Sequence, residues 1–244
     1  MNSLARADDF KRVLADYHVS EGAKDLLARL QLVLLVGPSS AGRNTIINEL
    51  LKSGKYHFIV SDTTRQPRVN DGVLEENGKQ YWFRTEDEVL QDLEAGEFLE
   101  AAIIHNQQVS GISMRELAAA VNEQKVAINE IEVVGADHIH AVKPDALFLF
   151  ILPPSFDEWM VRMNTRGSLP ADETRRRLTS AVKELTMALD RDYYRFVVND
   201  TFVHTAAGIN KMTLENARSE KHQAEGIAVA QQLLTDTKKF LETN

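Results

Sequence analysis

An α/β fold built on a central parallel sheet is what this sequence predicts, and three observations predict it. Leu32–Val36 reads LVLLV, a short unbroken apolar run that suits a strand buried on both faces. Gly37 and Gly42 follow at once, and then comes the amphipathic run 45–51, so strand, glycine loop and helix stand in direct succession. Residues 146–152 form a second strongly apolar strand, stopped by Pro153-Pro154. The composition, 43% hydrophobic and 26% charged over 244 residues, is that of an ordinary globular chain. It suffices for one α/β domain with an appendage.

The first junction carries chemistry. Its loop is Gly37-Pro38-Ser39-Ser40-Ala41-Gly42-Arg43-Asn44-Thr45. Glycines let successive backbone N–H groups turn inward around an anion, and the helix that follows adds its partial positive charge. The loop departs from the G-x-x-x-x-G-K-[ST] pattern, with Arg43 in place of the lysine and Asn44 in place of the magnesium-binding hydroxyl. Arginine keeps the charge but is longer, planar and forked. Asn44 offers a neutral carbonyl oxygen as a metal ligand. These nine residues alone fit either a phosphate cradle or a strand-to-helix turn that binds nothing.

The rest of the composition narrows the class. No apolar run approaches the roughly 18 residues of a membrane span. The polar, periodic N-terminus has no signal-peptide core, so the expected location is cytoplasmic. The absence of cysteine excludes disulfides, thiolate metal sites and a cysteine nucleophile. A net charge of −8 disfavours general nucleic-acid binding, so any anion site must be a local basic cluster on an acidic body.

Taken in order, residues 4–30 read as two short helical segments. Leu4, Phe10, Val13 and Leu14 form one stripe, and Leu26, Leu27 and Leu30 the other, with 18–22 as the break. After the loop helix, 57–60 is a strand. Pro67 then imposes an extended or turn backbone, setting Arg65 and Arg68 on either side of a rigid corner. Turn signals at 70–72 and 77–78 bound an acidic loop. The reading continues with a strand at 81–83, a helix at 86–95, a strand through His105 and a helix at 114–124. A strand at 126–134 carries Glu130 and Glu132 towards its end. Ser155 caps a helix running to about Asn164. Asp172 and Glu173 open a helix that carries Arg175, Arg176 and Arg177 near its start, where the helix dipole prefers anions. Such a cluster reads as a polyanion site or as a solvated face. A strand at 194–198 precedes a mostly helical tail.

With the phosphate loop upstream, the run Ser61, Thr63, Thr64, Arg65, Pro67 and Arg68 resembles the guanylate kinase family. The resemblance covers roughly residues 31–200 in order. It includes Gly78 to Tyr81, Phe98-Leu99-Glu100, the acidic pair Glu130 and Glu132, Arg166-Gly167, Arg177-Leu178 and Val198-Asn199-Asp200. It implies a P-loop NTPase-type three-layer fold with a central parallel sheet, a small mixed α/β subdomain that binds a nucleoside monophosphate, and a helical lid. The implied division is an N-terminal helical extension at 1–30 and a kinase-like domain at 31–244. The core would comprise 31–60, 125–155 and 193–244, the acceptor subdomain about 61–115 and the lid about 162–192.

The resemblance also implies roles. Ser61, Arg65, Arg68 and Tyr81 would hold the phosphate of GMP, a dianion suited to arginine forks. Glu100 would accept from the N1–H and exocyclic amine of guanine and repel adenine. Glu130 and Glu132 would lie near magnesium or the guanine pocket. Arg43, Arg166 and Arg177 would be catalytic, neutralising the phosphoryl group in transit from ATP. Two departures stand out. Ser110-Gly111-Ile112-Ser113 replaces the family's Tyr-Gly-Thr-Ser, so that Ser113 would recover only part of the contacts to phosphate and base, and about twenty extra residues follow Asp200. Three readings remain open at this point: a guanylate kinase acting as monomer or homodimer, a binding module like the guanylate kinase-like domains of scaffold proteins that take phosphorylated partners, and a kinase for another monophosphate.

Overall fold

The structure, a computed structural model, describes residues 4–70, 72–165 and 169–243. In chain order its elements are α1 (Ala7–Ala15), α2 (Glu21–Arg29), β1 (Leu32–Val36), α3 (Arg43–Leu51), β2 (Tyr56–Phe58), β3 (Asp62–Thr63), β4 (Val69–Asn70), β5 (Val73–Leu74), β6 (Trp82–Phe83), α4 (Glu86–Glu94), β7 (Phe98–Ile104), β8 (Gln108–Ser113), α5 (Met114–Asn122), β9 (Val126–Glu130), α6 (Val133–Val142), β10 (Leu147–Leu152), α7 (Phe156–Asn164), α8 (Ala171–Leu189), β11 (Tyr194–Val198), α9 (Phe202–Leu214) and α10 (Glu220–Thr243). They fall into two units. The first takes the residues up to Gln31 with Tyr56–Ala127 and Asp137–Pro144, and the second takes Leu32–Lys55, Ile128–Ala136 and the residues from Asp145 on.

The second unit is built on β11, β10, β1 and β9, lying side by side in that order. β1 runs parallel to β10 and β10 to β11, with Leu34 opposite Phe148 and Phe150 opposite Phe196. All five residues of β1 are buried, as their unbroken apolar run predicts. Each such side chain contributes about 1.5–3 kcal/mol relative to exposure. The open edge of β11 is closed by α10. Gln223 accepts from the Phe196 N–H at 3.0 Å and donates to the Tyr194 carbonyl at 3.0 Å. Gly226 permits this approach, because a Cβ there would lie 2.7 Å from the Phe196 carbonyl oxygen.

The first unit holds a four-stranded sheet in the order β6-β3-β8-β7, with β7 at its edge. β8 runs antiparallel to both β3 and β7, and β3 pairs in parallel with β6. The first helical segment predicted from sequence supplies part of this unit's core: Leu4 and Phe10 pack with Val89, Leu90 and Leu93 of α4 and with Phe98 and Val109 of the sheet. A capping box at Thr85 and Glu88 starts α4. Among the described residues no helix is long and apolar enough to cross a membrane.

One expectation is corrected, and one strand forms where none was expected. The strand expected over 126–134 stops at Glu130, so Glu132 stands on the turn before α6, which starts at Val133. Val133-Val134 carries strand propensity and Gly135 resembles a breaker, yet Val133, Ala136 and Ile139 are all buried at helical spacing, and packing decides. Residues 108–113 form the full strand β8, which the sequence reading left without an assignment. Serines and a glycine hide its alternation, and its antiparallel partners fix it.

Candidate active site

In the second unit the loop after β1 is shaped by its glycines. Gly37 has φ 138°, and a Cβ there would lie 2.3 Å from the Ile151 carbonyl oxygen. Gly42 has φ 99°, and a Cβ would lie 2.4 Å from Asn199 Nδ2. Ser40 itself takes φ 65°, in the left-handed region that non-glycine residues seldom occupy. α3 begins at Gly42 with no side-chain cap and no acid in its first turn. α7, by contrast, is capped by Ser155 and carries Asp157 and Glu158. The first backbone N–H groups of α3 are therefore left for an anion.

Two groups hold this loop directly, and a third braces the end of β11 that carries one of them. Asn199 Nδ2 donates to the Ala41 carbonyl at 2.8 Å, while its Oδ1 accepts from Thr205 Oγ1 at 3.1 Å. Trp159, fully buried, donates from Nε1 to the Ser39 carbonyl at 2.8 Å. Arg162 donates to the carbonyls of Asn199 and Asp200 at 3.0 and 3.3 Å, tying the end of β11 to α7. The two residues that break the loop pattern share one partner. Arg43 Nε lies 3.2 Å from Glu130 Oε2. With its amide nitrogen turned to the same carboxylate, Asn44 lies 3.0 and 3.1 Å from the two Glu130 oxygens.

A cavity opens above the loop, lined among others by Gly37, Ser39, Arg43, Glu132, Arg177 and Glu184. Arg177 Nε is 2.7 Å from Glu173 Oε1, and Arg176 pairs with the same glutamate. Arg176 and Arg177 thus share the single carboxylate of Glu173 in the first turn of α8. Arg177 holds the Glu173 carboxyl below its usual range. Burial pushes Glu184 up, opposed by the charge of Arg43 and reinforced by Glu132. Arg166 lies outside the described residues.

In the first unit the corner at Pro67 gathers a second basic group. Arg65 forms a bidentate pair with Glu75, at 2.5 and 2.9 Å, and Glu75 also accepts from the Arg68 N–H at 2.8 Å. The Arg65 guanidinium lies over the Tyr81 ring, 4.7 Å from its centroid, and 5.4 Å from that of Phe83. The Glu75 carboxylate raises the Arg65 pKa further, so this cation is permanent. The Arg68 residue is exposed. Ser61, half-buried, accepts at its carbonyl from the Trp82 N–H at 2.9 Å. Trp82 Nε1 donates to Glu116 at 2.8 Å, and its ring lies under Arg115. Arg65, Arg68, Tyr81 and Ser61 are thereby gathered by one turn and two short strands.

Glu100, half-buried, stands on β7 beside a bulge between Phe98 and Glu100, opposite Ile112. Gly111 makes this approach possible, since a Cβ there would lie 2.4 Å from the Glu100 carbonyl oxygen. Ser113 is buried, with its hydroxyl 3.4 Å from Asp62 Oδ1. Asp62, also buried, pairs with Arg115 at 2.7 Å and Arg84 at 3.0 Å. Ser110, where the family carries tyrosine, hydrogen-bonds Thr63 at 2.8 Å.

Sequence reasoning missed Glu75, Glu184 and the support from Trp159. Glu75 stands three residues before Gly78 in a loop read only as acidic. Glu184 and Trp159 sit inside amphipathic helices, where nothing local sets them apart. Asn199 was noticed as part of Val-Asn-Asp, without a role.

The comparisons with known proteins agree on one family. The family model for guanylate kinase matches residues 29–216. The guanylate kinase of Rhodococcus jostii is 37% identical over 175 residues, 71% of this chain and 82% of that protein. The guanylate kinase of Corynebacterium diphtheriae is 33% identical over 184 residues, 75% of this chain and 93% of the relative. Among solved structures, the guanylate kinase from Anaplasma phagocytophilum superposes with a TM-score of 0.55 at 25% identity, covering 78% of this chain and 88% of the other. The chain belongs to the guanylate kinase family of ATP-dependent phosphotransferases.

Proposed function

We propose that this chain transfers the γ-phosphoryl group of ATP to GMP, with the donor held in the second unit and the acceptor in the first. The observation that carries the acceptor assignment is the gathering of Arg65, Arg68, Tyr81 and Ser61 at one rigid corner, with Glu100 on the edge strand of the same sheet. Two guanidiniums and two hydroxyls suit a phosphate dianion. A carboxylate suits the N1–H and exocyclic amine of guanine and disfavours adenine, which presents an acceptor at N1. Residues 61–115 then act as the acceptor-binding segment and 162–192 as the lid.

On the donor side, the uncapped N-terminus of α3 and the glycine-shaped loop suit the phosphates of ATP, and Arg43 keeps a positive charge beside them. Arg177 lines the same cavity and neutralises charge on the group in transit, and Arg166 is assigned the same role by its place in the sequence. The exposed carboxylate of Glu132 in the cavity wall would meet magnesium entering with the nucleotide, while Glu130 is committed to Arg43 and Asn44. Magnesium would supply charge neutralisation of the phosphate oxygens. Positioning and neutralisation, rather than covalent chemistry, are what these residues provide.

The test is a coupled assay of ADP release with GMP, dGMP, AMP and UMP as acceptors, run on the parent and on Arg68→Ala. GMP should be the preferred substrate. The variant should bind GMP about 10- to 150-fold more weakly, the equivalent of roughly 1.5–3 kcal/mol for a hydrogen bond to a charged group. Nucleotide-dependent turnover absent with every acceptor would return the chain to the binding-module reading. Unchanged GMP affinity in Arg68→Ala would remove that residue from the phosphate site.

A further inference from the structure

The N-terminal segment stands outside the 29–216 family match, yet it is built into the strand that carries Glu100. β7 is an edge strand, so the backbone groups on its open side have no neighbouring strand to pair with. At Phe98 one side chain satisfies both. The Tyr17 hydroxyl donates to the Phe98 carbonyl at 2.6 Å and accepts from the Phe98 N–H at 2.8 Å. Phe98 is the residue at which the β-bulge begins, and the bulge ends at Glu100. A bulge re-aims the side chain that follows it, so a pin at its first residue fixes where the next carboxylate points.

The pin does not stand alone. Ser20 donates its N–H to the Gly96 carbonyl at 3.0 Å, and Ser20 Oγ donates to Glu97 Oε1 at 3.1 Å. Gly96 has φ 73°, and a Cβ there would lie 2.6 Å from Ser20 N and 2.9 Å from the His18 carbonyl oxygen. The turn that launches β7 is therefore shaped to receive residues 17–20. Phe10 and Phe98, both fully buried, belong to one apolar cluster that anchors the segment to the strand. Burial raises the Tyr17 pKa to about 12, so the hydroxyl stays protonated and able to donate across the working pH range.

We propose that the N-terminal segment is a base-specificity element and that Tyr17 is a positioning residue, acting through the Phe98 bulge on the guanine-reading carboxylate of Glu100. This inference rests on the reading of Glu100 given above. Tyr17→Phe keeps the ring and removes only the hydroxyl. It should raise the GMP KM about fivefold and lower the GMP-over-AMP preference, with the ATP KM unchanged, as expected when one binding contact is loosened. Amide hydrogen exchange should quicken at Phe98 and Glu100. Gly96→Ala, which pushes residues 18–20 off the same turn, should give the same kinetic pattern and serves if Tyr17→Phe does not fold. A lowered unfolding midpoint with GMP KM and base preference at parent values would make Tyr17 merely structural and overturn the inference. Glu100→Gln is measured beside them. If it shifts base preference while Tyr17→Phe does not, this inference falls and the Glu100 reading stands. If Glu100→Gln leaves preference unchanged, the reading falls and the inference falls with it.

Discussion

Glu184 sits in an environment that its sequence neighbourhood does not suggest. It sits within an amphipathic helix, yet it lines the donor cavity with Arg43 and Glu132. Burial raises its pKa, and Glu132 adds to the rise, so keeping it ionised costs the folded state stability. The sign follows from linkage. A carboxyl whose folded pKa lies above its unfolded value favours folding fully below the unfolded pKa, and that benefit is lost as pH rises through the folded pKa. Glu184→Gln removes the titration. Its unfolding midpoint should exceed the parent's at pH 7, and the difference should fade below about pH 4, where the parent carboxyl is protonated in both states. Thermal melts of both proteins across that range decide it. The arginines at the Pro67 corner teach the complementary lesson. Arg65 and Arg68 stand out as a pair from their spacing around Pro67. Glu75, which occupies the Arg65 fork, was not, because the contact spans ten residues through a hairpin that only the folded chain defines.

At the scale of the element, the phosphate loop and β9 behave as one device. The sequence shows an arginine and an asparagine where the pattern has lysine and a hydroxyl, which reads as erosion. The structure pairs Arg43 with Glu130, and Asn44, with its amide nitrogen turned that way, reaches the same carboxylate. The longer cation has an acid long enough to meet it. Arg43→Lys and Glu130→Asp should therefore couple: each alone should lower kcat, and the double variant should recover part of the loss, with an interaction energy of about 0.5–3 kcal/mol. Steady-state kinetics on the four proteins measures it, and simple additivity would show that the two positions changed independently. The elements themselves divide the same way. Runs with one strong pattern, the unbroken apolar β1 and β10 and the helices opened by Thr85 and Ser155, were readable because local pattern and tertiary packing agree. β8 and the start of α6 were not, because β8 takes its identity from two partner strands and α6 from the burial of Val133, Ala136 and Ile139.

Over the whole molecule, the acidic body predicted by a net charge of −8 carries its cations in local groups, and each group is faced by an acid. The family, the parallel sheet and the order of the motifs were all legible from the chain. The buttressing was not, since Asn199, Trp159 and Tyr17 act on backbone groups 158, 120 and 81 residues away. That buttressing has an optical consequence. The chain has two tryptophans, and each unit holds one. The Trp159 indole N–H is bonded to the Ser39 carbonyl of the loop after β1, and Trp82 bonds the Ser61 carbonyl through its backbone N–H and Glu116 through its indole N–H. With ATP on the loop after β1 and GMP at the Pro67 corner, as proposed, each substrate would have a native fluorophore beside it. In Trp82→Phe, ATP should alter the emission of Trp159 while GMP leaves it unchanged. In Trp159→Phe, GMP should alter that of Trp82 and ATP should not. A fluorimeter, with no label attached, can then follow the filling of either half of the reaction by itself.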